Sequence, residues 1–151
     1  MKYRKWVAIG QFLFKHTWLY FLLAHTWGII WTIVGYLVSL ILIILGYKPI
    51  SYNHIHYFKV GHYWGGLEFG TCFIRDDTSS EVITEHEFGH TIQNCILGPL
   101  FVFIVVIPSA TRYWYQTIAM KRGKKFASDW YDSVWFEGSA TEIGKYIRKE
   151  N

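Results

Sequence analysis

The stretch Thr84-Glu85-His86-Glu87-Phe88-Gly89-His90 contains the pattern H-E-x-x-H. On a helix this spacing sets His86 and His90 one turn apart on one face, with Glu87 beside them. Two neutral imidazoles so placed can bind one Zn²⁺, and the adjacent carboxylate can take a proton from a water acidified by the metal. A catalytic zinc usually takes three protein ligands and keeps a fourth position open. No histidine follows His90, and His54, His56 and His62 upstream have no spacing that argues for ligation. The downstream acids are Asp129, Asp132, Glu137, Glu142 and Glu150. Glu137 stands out by its company: on a helix Val134, Glu137, Thr141 and Gly144 share one stripe, with Ala140 beside it. Small residues let two helix backbones approach, so that a carboxylate among them reaches a shared metal. Glu142 lies some 140° further round by helical geometry and is expected to face elsewhere.

The surroundings of the motif predict a helix over residues 79–97. Thr78 and Glu81 have capping-box spacing, Asp76 and Asp77 read as turn and cap residues, and Gly98-Pro99 is the expected terminator. A second helix over 128–148 is expected to carry Glu137. His86-Glu87-Phe88-Gly89-His90 with a later Glu137-x-x-Ala140 resembles the gluzincin group of zinc metallopeptidases. Together with Thr91-Ile92-Gln93, Gly98-Pro99-Leu100 and Ile107-Pro108-Ser109 it is also similar to small bacterial membrane proteins with predicted metallopeptidase sites. The likeness spans roughly Thr32 to Gly144. It implies His86, His90 and Glu137 as ligands and Glu87 as base. Many gluzincins carry Asp after the alanine, where this chain has Thr141, a departure that leaves the usual support of a histidine missing, though a hydroxyl or another acid could supply it.

Composition bounds the rest. The chain is 52% hydrophobic and 20% aromatic, too apolar for a disordered or nucleic-acid-binding tail. Its net charge of +4 comes from clusters beside apolar stretches (Lys2, Arg4, Lys5; Lys121, Arg122, Lys124, Lys125; Lys145, Arg148, Lys149), which suits an anionic membrane surface and not a nucleic-acid groove. Cys72 and Cys95 read as buried thiols.

Between His16 and Tyr47 there is no Lys, Arg, Asp or Glu, enough apolar chain to cross a bilayer once. Residues 1–47 are therefore expected to be an uncleaved N-terminal membrane anchor, with Trp18, Tyr20, Trp27 and Trp31 as an interfacial belt. A stripe of small residues along it, Ala24, Gly28, Thr32, Gly35 and Ser39, offers a face for helix-mediated homo-oligomerisation in lipid. Residues 48–151 are expected to form a zincin-like domain. A β-hairpin over 48–75, with strands 53–60 and 67–74, leads to the H-E-x-x-H helix. A re-entrant or interfacial segment over 99–119 follows, too short in its apolar part to cross the bilayer.

The expected fold is thus a mainly α membrane protein with a small hairpin and a pair of helices holding the metal. The expected function is zinc-dependent hydrolysis of peptide or protein substrates at or near a membrane, of the bacterial cytoplasmic type. His62, Arg112, Tyr113 and Tyr131 are the candidate oxyanion or substrate contacts. The alternative is a zinc-binding membrane protein with an interaction or regulatory role and no catalysis. Both readings set one geometric condition: Glu137 must lie within metal reach of His86 and His90.

Overall fold

The computed structural model describes residues 1–148; Lys149 and Glu150 lie outside the described residues. The chain is mainly helical with a small four-stranded sheet. Its elements are α1 (Arg4–Lys15), α2 (Thr17–His25), α3 (Ile29–Ile44), β1 (Ile50–Tyr52), β2 (Ile55–Lys59), β3 (Gly66–Phe69), β4 (Cys72–Arg75), α4 (Glu81–Leu97), α5 (Ile107–Lys121) and α6 (Trp135–Arg148). Short 3-10 turns at Gly98–Leu100 and Tyr131–Ser133 and a π-helical turn at Val102–Val106 join the last helices.

Helix α4 is the centre of the molecule. Every residue from Thr84 to Cys95 is buried, because α6, α1, α2 and the sheet surround it. It starts at Ser80 without a side-chain cap, since Thr78 is taken up by Asp76 and the expected capping box does not form. The carboxylate of Asp76 instead accepts from the backbone N–H groups of Trp64, Gly65 and Thr78, organising the turn before the helix. At the other end Gly98 adopts φ 54° and stops the helix. A Cβ there would also strike the Trp27 indole.

The expected hairpin is replaced by a sheet of order β1-β2-β4-β3, with β2 parallel to β4 and both outer pairs antiparallel. The segment read as one strand over 67–74 is folded back at Gly70, whose φ of 70° makes the turn. The Gly61–Gly65 loop crosses over instead of closing a hairpin; Gly61, Tyr63 and Gly65 all have positive φ, and the loop is tied to Asp76. The turn at Gly70 also resets side-chain alternation, so Glu68 pairs with Phe73 and shares its face.

Residues 1–47 pack with the rest of the chain. Among the described residues no single helix is long and apolar enough to cross a membrane, although two bent helix pairs have the length and composition. The chain bends by 102° between α1 and α2, and Val7, Leu13, Tyr20 and Ala24 enter the same core as Phe88, Ile92 and Ile143. The N–H groups of Lys2 and Tyr3 donate to the two carboxylate oxygens of Glu142, each at 2.9 Å, fastening α1 to the outer side of α6. The small-residue stripe is likewise used within the chain, which corrects the expected oligomer face. Thr32 donates to the Ala24 carbonyl, Ser39 lies against His56 and Cys72, and Cβ atoms at Gly28 and Gly35 would meet Asn94 and the Phe69 carbonyl. Cys72 and Cys95 are buried free thiols.

The crossing of α4 and α6 is at backbone contact. A Cβ at Gly89 would lie 2.1 Å from the Ala140 carbonyl oxygen, and one at Gly144 2.0 Å from that of Glu85. Gly144→Ala is therefore expected to force the helices apart and lower stability by about 1–3 kcal/mol, the usual cost of overpacking, read as a drop in thermal midpoint.

Candidate metal centre

The close crossing brings three ligand atoms together. His86 Nε2 and His90 Nε2 are 3.1 Å apart, and the Glu137 Oε2 lies 3.1 Å from the first and 3.2 Å from the second. A tetrahedral ion with ligands at about 2.0–2.1 Å has edges of about 3.3–3.4 Å, so the triangle has the size of one face of such a site. All three residues are buried and form a group that can hold a metal ion. Glu137 is fully buried, and its Oε1 has no hydrogen-bond partner among the described residues. It stands in the first turn of α6, where the helix dipole favours negative charge.

Second partners fix both rings. The Gln93 amide nitrogen donates to the Phe136 carbonyl and to Ser139 Oγ, which turns its oxygen toward His90 Nδ1 at 2.7 Å. Thr141 Oγ1 donates to Asp132 and stands 2.8 Å from His86 Nδ1, so it accepts from that ring. Each imidazole thus carries its proton on Nδ1 and turns the Nε2 lone pair to the shared point, as histidine ligands do. Thr141 therefore takes up the support expected of an aspartate, with Asp132 behind it.

The electrostatics agree with a cation site. Burial disfavours an imidazolium at His90, but the Glu137 carboxylate outweighs it and pushes the pKa up to about 9. Burial likewise opposes the charge of Glu137, yet both histidines hold its pKa well below the usual carboxylate range. The cluster attracts a proton at neutral pH, or a metal ion in its place.

A cavity of about 280 Å³ opens over the cluster, walled by β3, the start of α4 and α5. Glu87 faces it, fitted against Gly66 so closely that a Cβ there would lie 2.6 Å from Oε1. Burial raises the Glu87 pKa, against the pull of His86 and His90. Tyr131 and Tyr113 line the same cavity; the Tyr131 hydroxyl is held 2.8 Å from Ser109 Oγ. Burial, then the nearby charge of Glu137, raises the Tyr131 pKa well above its ordinary value. No family model, curated protein or solved structure matches the chain.

Two expected contacts are elsewhere. His62 is exposed, pairs with Asp77 and does not line the cavity. Arg112 stacks 3.7 Å over the Trp130 ring and donates to the Trp130 carbonyl and Ser133 Oγ. It pins the turn that presents Tyr131 and Asp132 without entering the cavity itself. Three contributors had little sequence signal. Gln93 lies three residues after His90, a spacing that places it on the same helix face. Asp132 comes from a 3-10 turn with no periodicity to announce it. Glu68, buried and lining the cavity, accepts from Gly70 N–H and Trp31 Nε1; burial pushes it up to about 8 against the opposing influence of His90 and that N–H.

Glu137→Gln is expected to abolish tight metal binding, and Thr141→Val or Asp132→Asn to weaken it about 10–100-fold, with Thr141→Ser near wild type; competition with a chromophoric chelator reads each. Because the folded protein holds the His90 proton below a pH of about 9, metal uptake at pH 7 is expected to release a proton and to weaken as pH falls, which calorimetry in buffers of different ionisation enthalpy measures.

Proposed function

We propose that the protein is a zinc-dependent peptidase. The observation that carries this reading is the placement of Glu87 beside three converging ligand atoms, in a cavity bordered by the outer strand of the sheet. The donor set of two imidazole nitrogens and one carboxylate, with the cavity on its open side, suits zinc at a catalytic rather than a closed structural site. When bound there, Zn²⁺ supplies a Lewis acid that acidifies water and polarises a carbonyl.

The chain's own groups supply the remaining steps. β3 is the outer strand of the sheet, and Gly65, Gly66 and Leu67 border the cavity. An extended peptide can align along this outer strand by strand addition, beside the Glu68 carbonyl, which accepts from Trp31 Nε1. Glu87, made more basic by burial, takes the proton of a water as the water oxygen bonds to the peptide carbonyl carbon. It then returns that proton to the nitrogen as the C–N bond breaks. Tyr131, oriented by Ser109, donates to the carbonyl oxygen as negative charge develops on it. His86 and His90 keep their protons on Nδ1 through Thr141 and Gln93, leaving Nε2 free for ligation.

Glu87→Gln is expected to retain stoichiometric zinc by elemental analysis while losing about 10²–10⁴ of the rate on a mixed peptide library followed by mass spectrometry. Tyr131→Phe is expected to lower kcat about 10²–10³-fold with zinc unchanged. Wild-type protein that binds zinc and cleaves nothing in the library, or a Glu87→Gln variant with full activity, would sink the reading.

A further inference from the structure

Helix α3 and the segment after α4 each turn one apolar face inward and a second one outward. In α3, Thr32, Gly35, Ser39 and Leu42 are buried on the sheet, whereas Ile33, Leu37, Leu40 and Ile44 on the opposite side are exposed. From the π-helical turn into α5, Val105, Val106, Ser109 and Tyr113 wall the cavity, whereas Phe103, Ile107, Trp114 and Ile118 are exposed, Phe103 by 68%. Helix α3 and the turn after α4 are in contact. Trp27 covers Gly98 and donates to the Ile96 carbonyl, and Trp31 packs with Phe101 and Val105. So many exposed large apolar side chains on two neighbouring segments are not a feature of a free soluble monomer.

Charge indicates what covers it. All 11 acidic residues of the chain fall within 68–87 and 129–150. The stretches that carry the two apolar faces therefore contain none. Their only formal charges are cationic, and α5 ends in the exposed group Lys121, Arg122, Lys124 and Lys125. Lys124 lies over the rings of Tyr115 and Phe126 and donates to the Tyr115 hydroxyl, so an ammonium and aromatic rings sit together at the rim, as at a headgroup boundary. A second copy would oppose cation to cation. An acidic bilayer opposes phosphate to them. With 16 residues α3 is about 24 Å long, short of the roughly 30 Å hydrocarbon core, and its inner face is already occupied by the sheet.

We propose that the outward faces of α3 and of residues 100–120 together form a docking surface for an anionic lipid bilayer, into which both lie without crossing, with the Lys121–Lys125 loop on the headgroups. The cavity wall formed by α5 is then shared with the membrane, and the cavity opens beside the headgroups. Binding to lipid stands independently of peptide hydrolysis, and the two fail separately.

The test is flotation of the full chain with phosphatidylcholine vesicles made with or without phosphatidylglycerol, after removal of the purifying detergent. Wild type and Glu87→Gln are expected to float alike, with tighter binding to the vesicles containing phosphatidylglycerol. Combining Phe103→Glu, Ile107→Glu and Ile118→Glu, all at exposed positions, is expected to abolish flotation on both kinds of vesicle while zinc content and thermal midpoint stay at wild type. Reversing the charge of Lys121, Arg122, Lys124 and Lys125 is expected to remove only the phosphatidylglycerol dependence, a loss of about tenfold or more in partitioning at about 1 kcal/mol per cation. Flotation of the triple variant equal to wild type overturns the proposal. So does a wild type that stays unbound and runs as a dimer that these three substitutions dissociate.

Discussion

The contact between the α4 and α6 backbones is the constraint on which the rest depends. Gly89 against Ala140 and Gly144 against Glu85 set the two axes so close that a side chain as short as glutamate reaches two histidines on the facing helix. A methyl group at either glycine would displace Glu137 as well as loosen the core. The same contact helps bury most of α4, whose buried residues include Glu85, His86, Glu87, Gln93 and Asn94 together with Phe88 and Ile92. A helix burying so many polar groups requires partners for them. At the site, Gln93 finds its partners on α6 and His86 finds Thr141 there.

Those partners give the cluster its chemical character. Three electron-rich atoms within about 3.2 Å of one another repel in a buried setting unless a positive charge stands among them. The pKa of His90 moves up and that of Glu137 moves down for that reason. The hydrogen bonds at Nδ1 then decide which nitrogen of each ring meets the charge. Burial does the opposite to Glu87 and Glu68, raising both. Carboxyl groups within one cavity are thus divided between a ligand held ionised and neighbours that take a proton more readily.

The apolar surplus of the chain is divided in a comparable way. Small residues on α3 admit the Phe69 carbonyl and Cys72, so its inner face packs on the sheet at backbone distance while its bulky residues point outward. Along residues 102–118 the inner side chains close the cavity and the outer ones stay exposed. The 114° bend after α4 turns the chain back so that Tyr131, Asp132 and Glu137 return to the side of α4 from which His86 and His90 project.

The ligand triad was legible in the sequence because helical spacing is a local property: H-E-x-x-H puts both rings on one face wherever that helix packs. Gly98-Pro99 ended the helix for similarly local reasons. Glu137 could be chosen among five acids because Ala140, Thr141 and Gly144 signal a close crossing. The strand reading failed at Gly70 and at the loop before Gly66. Apolar alternation does not reveal a reversal made by one residue of positive φ, nor a crossover that puts β2 beside β4. Hydropathy measures how apolar a segment is and not which apolar surface covers it. In α1 and α2 that surface was the protein's own core. Asp132 and Glu68 reach the site by contacts between segments far apart in the chain, and Gln93, on the same helix as His90, is oriented by Phe136 and Ser139 on the other helix. The sequence by itself determined that His86 and His90 share one helix face, since one turn of helix fixes their spacing. Only the tertiary structure decided which carboxylates, hydroxyls and strand edge surround them, since those positions depend on packing between segments that share no local pattern.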